Sequence, residues 1–193
     1  MIVQIVLLLT IQALAAKNEV IAIIGTNDIH GAALPTNITI HKNNKTIEYK
    51  YGGLVYMARM IEIIKKENPG KVLYLDAGDQ FQGGIESGTL ISQGKIMNDF
   101  FGLAQVNGSA IGNHEFDFGP SFLFPFMKAK DGPNLAANLR SELGKQEFLP
   151  GQKNSAMFSF ANGIKVGVIG LSTIETPETT AGFSSGLFPK YRF

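Results

Sequence analysis

The chain reads as an α/β protein, and three observations carry that reading. Nearly continuous apolar runs, of the kind that buried parallel strands require, alternate with segments whose apolar residues recur at helical spacing. Their order is strand, helix, strand, helix, strand, as in a sheet built from crossover units. Polar, glycine-bearing motifs follow the C-terminal ends of the first three strands, where open α/β sheets place their ligands.

The elements follow in order. Val20 to Gly25 (VIAIIG) is expected to be a strand covered on both faces. A polar stretch from about Gly31 to Tyr51 reads as a long loop, functional or decorative. Leu54, Met57, Ala58, Ile61 and Ile64 recur at helical spacing, and Pro69-Gly70 closes that helix. Val72 to Leu75 is a second buried strand. A second helix is expected over Gly88 to Phe101, with Leu90, Ile91, Ile96 and Met97 as its apolar contacts. Ser109 to Ile111 reads as a third strand and Asn134 to Ala137 as a fourth. Ala156 to Phe160 and Ile164 to Gly170 flank Asn162-Gly163, the strongest short hairpin signal in the chain.

The 193 residues suffice for one domain with a sizeable core. Hydrophobic residues make up 45% and charged residues 17%, an ordinary globular composition. A formal net charge of +1 offers no electrostatic reason to expect a nucleic-acid polymer or a stable membrane partner. Residues 1–16 are apolar except for two Gln and one Thr, carry no charge and end in Ala-Leu-Ala-Ala, which reads as a cleaved secretory signal, with residues 17–193 as the mature domain. A hydrophobic N-terminal strand or an uncleaved anchor is the alternative. The absence of cysteine leaves stability to the core. Sequons at Asn37 and Asn44 are expected to be glycosylated, in keeping with a secreted protein. Asn107-Gly108-Ser109 is discounted because it precedes a buried strand.

Three motifs point to a cation and a phosphate. In Asn27-Asp28-Ile29-His30, residues two apart in extended backbone share a side about 6.6 Å apart, so Asp28 and His30 reach toward one cation. Asp-x-His also begins ordinary turns, however. Asp76-Ala77-Gly78-Asp79-Gln80-Phe81-Gln82-Gly83-Gly84 offers carboxylates on a glycine-rich turn, where Asp79 bridges two cations or merely bonds to its own backbone. Gly112-Asn113-His114-Glu115-Phe116-Asp117-Phe118-Gly119 is the most specific. Asn113 offers an amide oxygen, His114 is free to meet substrate, and Asp117 orients or charge-stabilises it. His41 reads as a surface residue, Asp76 as a backbone anchor, Glu115 as a loop brace, and Phe122, Phe124 and Phe126 as packing.

In their order and setting these motifs resemble those of the calcineurin-like metallophosphoesterases. The longer matches, Thr26 to Gly31 and Gly112 to Gly119 with Thr173-Ile174-Glu175-Thr176-Pro177, look like the 5′-nucleotidase and apyrase branch. The resemblance spans most of the mature chain, from Val20 to Phe183. It implies an αββα sandwich with a mixed sheet, of which this chain is the N-terminal part. It also implies that Asp28 and His30 bind one divalent metal ion, that Asp79 bridges to a second bound by Asn113, and that His114 acts on the phosphate with Asp117 as its partner. Zinc, manganese or similar ions are the implied cofactors. A hydroxide they activate would hydrolyse a nucleotide or another small phosphate ester. The family site takes further histidines from the second half of its domain, and none follows His114 here. The second metal site is therefore expected to be incomplete, and the alternative function is a secreted fragment that binds metal or phosphate with little or no turnover.

Overall fold

The computed structural model of the protein describes residues 19–82, 94–141, 149–184, 186–188 and 191–192. Strand β1 (Ala22–Thr26) leads into an antiparallel hairpin, β2 (Thr36–Lys42) and β3 (Lys45–Tyr51). Helix α1 (Leu54–Glu67), strand β4 (Val72–Asp76), helix α2 (Lys95–Ala104) and strand β5 (Gly108–Ala110) follow. A single 3-10 turn, His114–Phe116, precedes helix α3 (Pro120–Ala129). Strands β6 (Asn134–Leu135), β7 (Arg140–Ser141), β8 (Gln152–Lys153), β9 (Ser155–Ser159) and β10 (Lys165–Ile169) come next. The chain closes with two four-residue helices, α4 (Thr176–Thr179) and α5 (Ala181–Ser184), and strand β11 (Tyr191–Arg192), which pairs with β7.

The α/β expectation holds. Five strands form a parallel sheet in the order β1-β4-β5-β6-β8, in step with the chain. Antiparallel pairing is confined, among the described residues, to separate two-stranded units. The hairpin expected around Asn162-Gly163 is β9–β10: Gly163 takes a positive φ of 85°, and the Phe160 N–H donates to the Ile164 carbonyl.

One expectation changes here. The polar stretch after Gly31 is largely the β2–β3 hairpin, because Asn43 and Asn44 both adopt the left-handed conformation that a two-residue turn needs. The second expected helix is seen as α2 over its described part, where it carries Ile96 and Met97, and residues 88–93, with Leu90 and Ile91, lie outside the described residues.

Helices α1, α2 and α3 pack one apolar cluster against the sheet through Leu54, Ile61, Phe101, Leu123, Phe126 and Tyr74. Phe122 and Phe126 are buried in that cluster and Phe124 packs at its edge, as packing residues should. The other face is covered only in part. A Cβ on Gly108 of β5 would lie 3.6 Å from the Phe158 ring of β9, while a groove of about 240 Å³ stays open between Ile23, Leu75, Ala110, Leu135 and Val168. Ile23 of β1 is 61% exposed and Ile169 of β10 is 69% exposed. The strand expected to be buried on both faces is thus covered on one.

Candidate metal centre

The strands β1, β4 and β5 each end in one of the three motifs, and the backbone ties those ends together. Beyond the last β1–β4 pair, the N–H groups of Asp28, His30 and Gly31 donate to the carbonyls of Gly78, Asp79 and Gln80 at 3.1, 3.0 and 2.9 Å. Asp28, His30 and Asp79 take φ values of 51°, 49° and 55°. Non-glycine residues adopt this left-handed region sparingly and at a cost, and such outliers cluster at functional sites. Asp28 and His30 therefore meet through two left-handed turns, not through the extended segment expected from their spacing. Their side chains approach to 3.4 Å.

His30, Asp79 and His114 present ligand atoms within 4.8 Å of one another. Each ring is oriented from behind. His30 Nδ1 lies 3.1 Å from the Phe81 carbonyl, which can only accept, so in the neutral ring Nδ1 carries the proton and Nε2 presents the lone pair. His114 Nδ1 lies 2.8 Å from Asp117 Oδ2, and Asp117 Oδ1 is held by the Ala181 N–H at 3.1 Å. The two imidazoles meet edge to face with centroids 5.0 Å apart. A backing acceptor on one nitrogen and a free lone pair on the other is how metal-bound histidines are usually held. One carboxylate with two imidazoles suits zinc, manganese or a similar divalent cation without choosing among them.

Glu115, a brace in the sequence, is here the clamp between two loops. Its Oε2 accepts from the N–H groups of Asp79 (2.9 Å) and Gly112 (2.7 Å), and its Oε1 from that of Gln80 (2.7 Å). Burial pushes its carboxyl up to about 7, against the pull of the Gln80 and Asp79 amides. Asp79 Oδ1 in turn accepts the His114 N–H at 3.0 Å. The loops leave no room for a methyl group: a Cβ on Gly112 would lie 2.2 Å from Asp79 Oδ1.

Asp28 lies at the exposed rim, its carboxyl held below the usual range first by the Asn27 amide and also by His30. Asp76 is buried and bonded to Thr26 Oγ1, the Gly78 N–H and Gln80 Nε2, so it anchors the loop as expected. Asn113 is half-buried on the third loop, and its carbonyl accepts from Thr180 Oγ1. His41 is exposed and contacts Thr46, away from this cluster.

Sequence reasoning missed Thr180, the Ala181 amide and Lys130. The first two lie more than sixty residues from their partners, and no local pattern announces such a bond. Lys130, just past α3, is buried with its Nζ over the rings of Phe101 and Phe126 at 5.2 and 5.9 Å. Burial pushes its ammonium down to about 8, opposed by the charges of Asp76 and Glu115.

A family profile described as calcineurin-like phosphoesterase matches residues 21–182. A 5′-nucleotidase from Diplobatis ommata is 33% identical over 158 residues, covering 81% of this chain and 26% of the relative. A snake venom 5′-nucleotidase from Gloydius brevicauda is 33% identical over 166 residues, covering 86% and 27%. Among solved structures, a 5′-nucleotidase precursor from Thermus thermophilus superposes with a TM-score of 0.73 at 25% identity, over 90% of this chain and 31% of that one. The chain thus spans less than a third of the length of each.

Proposed function

The chain belongs to the calcineurin-like phosphoesterase family, and on that premise we propose that it is a metal-dependent phosphoesterase of the 5′-nucleotidase type, acting on a nucleotide or a related small phosphate ester. The observation that supports this most directly is the convergence of His30, Asp79 and His114 at the ends of three adjacent parallel strands. The similarity to 5′-nucleotidases supports a nucleotide as the substrate class.

His30 and Asp79 would hold a divalent cation, with Asp28 at the rim and Asn113 on the neighbouring loop as further donors. Cations bound there supply charge neutralisation at phosphoryl oxygens and lower the pKa of water. The remaining work belongs to the chain. His114, with Nδ1 bound to Asp117, presents Nε2 to the phosphate, and in its protonated form it donates there to the departing ester oxygen. Asp117 fixes the ring and stabilises its charge, and the Ala181 amide fixes Asp117. The Glu115 clamp keeps Asp79 and His114 in register.

Purified protein assayed with AMP or ATP under manganese or zinc should release phosphate, and a generic phosphodiester, read by the alcohol it releases, is the comparison substrate. Asp79→Asn should abolish that release, and His114→Ala should lower kcat about 100-fold or more. Turnover that survives both substitutions would overturn the assignment. A second reading, one bound cation without efficient turnover, is favoured by a donor set that amounts to one trio among the described residues. Stoichiometric manganese binding with no phosphate release would select it.

We further propose delivery through the secretory route. Residues 1–16, whose composition suggests a signal, lie outside the described residues, and no described helix is long and apolar enough to cross a membrane.

A further inference from the structure

The β2–β3 hairpin contributes no donor to the metal centre, and its two faces differ sharply. Residues directly opposite each other in an antiparallel pair share a face. Ile38 with Tyr49 and Ile40 with Ile47 therefore line one side, while Asn37 with Lys50, Thr39 with Glu48 and His41 with Thr46 line the other. The contact between His41 Nδ1 and Thr46 Oγ1, at 3.0 Å, marks the polar face. Asn37 and Thr39 stand side by side on that face and are exposed. Asn44 is the second residue of the turn, exposed at the tip with φ 59°. Each of these asparagines begins an Asn-x-Thr sequon.

The third sequon is built into the core. Asn107 Oδ1 accepts the Tyr74 N–H at 2.8 Å, the Asn107 N–H donates to the Tyr74 carbonyl at 2.8 Å, and Ser109 is buried. Asn107 is half-buried with its side-chain oxygen committed to β4, and Gly108 and Ser109, the rest of this sequon, are buried.

We propose that the hairpin is a glycan-bearing arm: Asn37 on its polar face and Asn44 at its tip carry N-linked oligosaccharides, and Asn107 carries none. The proposal rests on secretory delivery. In the transfer, the asparagine Nδ2 forms a bond to C1 of an oligosaccharide held on a lipid pyrophosphate. The C1–O bond to the pyrophosphate breaks, the lipid pyrophosphate leaves, and the amide gives up one proton. Strands of seven residues at about 3.4 Å each place the tip roughly 24 Å from the hairpin base at Pro35 and Gly53, so the tip sugar stands well away from the base. Sugar on the polar face and the tip leaves the Ile38–Tyr49 face bare.

The test expresses the full chain in a eukaryotic secretory host and measures intact mass before and after glycosidase release of N-linked sugar. Two glycans are expected on the secreted protein, one lost in Asn37→Gln and one in Asn44→Gln. Ser109→Ala destroys the third sequon while sparing the Asn107 bond, and its hydroxyl has no partner among the described residues, so this variant should fold and keep both glycans. A glycan lost in Ser109→Ala, or a secreted protein without glycan, overturns the proposal. Replacing residues 1–16 with an established signal sequence separates the two premises. Glycans on Asn37 and Asn44 that appear only then overturn the secretory reading and uphold the sites, whereas none even then overturns the sites.

Discussion

Glu115 satisfies three backbone amides from two loops with one carboxylate, so glutamine at this position turns an NH2 group toward donors that need an acceptor. Glu115→Gln should lose about 1–3 kcal/mol of stability. Because the same amides belong to Asp79 and its neighbours, manganese affinity measured by calorimetry should fall as well. Undiminished affinity in the folded variant would show that the clamp does not position Asp79. Lys130 makes a separate prediction. Its ammonium sits at about 8 against an ordinary 10.5. Below pH 8 both folded and unfolded chains hold the proton, and the burial penalty is present in full. Between about pH 8 and 10.5 the folded chain has released a proton that the unfolded chain still binds, so stability rises with pH across that window. Denaturant unfolding at pH 7 and pH 10 should show the protein gaining on the order of 2–3 kcal/mol relative to Lys130→Met. A constant difference between the two proteins would place the titration of Lys130 elsewhere.

The loops after β4 and β5 work as one unit because two glycines let them touch. A Cβ on Gly78 would meet the Gly112 nitrogen at 2.5 Å, and one on Gly112 would meet the Asp79 nitrogen at 2.6 Å. Gly112→Ala should therefore push Asp79 out of place, with a stability loss of about 1–3 kcal/mol and weaker manganese binding in the same calorimetric titration. Retention of both would mean that the loops shift apart freely. These loops were legible in the sequence because strand-end placement and clustered glycine are local signals. The apolar strands were legible for the same reason, as was the Asn162-Gly163 turn. The β2–β3 hairpin was not, because its exposed alternation of Thr, Ile and Lys reads as polar chain until the left-handed pair Asn43-Asn44 is seen to turn it. Helix α3 was missed because three phenylalanines two apart, with Pro125 inside the helix, carry no clear helical period. The Thr180 and Ala181 contacts depend on the whole chain returning to the site.

Taken together, the layers are unequal. Helices α1 to α3 close one face of the parallel sheet, and the β9–β10 hairpin only begins to close the other. The apolar run in β1 is suited to two-sided burial, yet Ile23 points into solvent. Exposed apolar area of this kind promotes association. A chain of residues 17–193 should therefore self-associate at roughly tens of micromolar by light scattering, and Ile23→Lys combined with Ile169→Lys should keep it monomeric. A wild-type chain that stays monomeric would show that the open groove is too small to matter. The strand order has a different consequence, for synthesis. Because β1, β4, β5, β6 and β8 lie in the sheet in the order in which they leave the ribosome, each can add to the edge its predecessor leaves open. The loops of the metal centre are all translated by Asp117, so most of its contacts can be in place while the strands beyond are still being made.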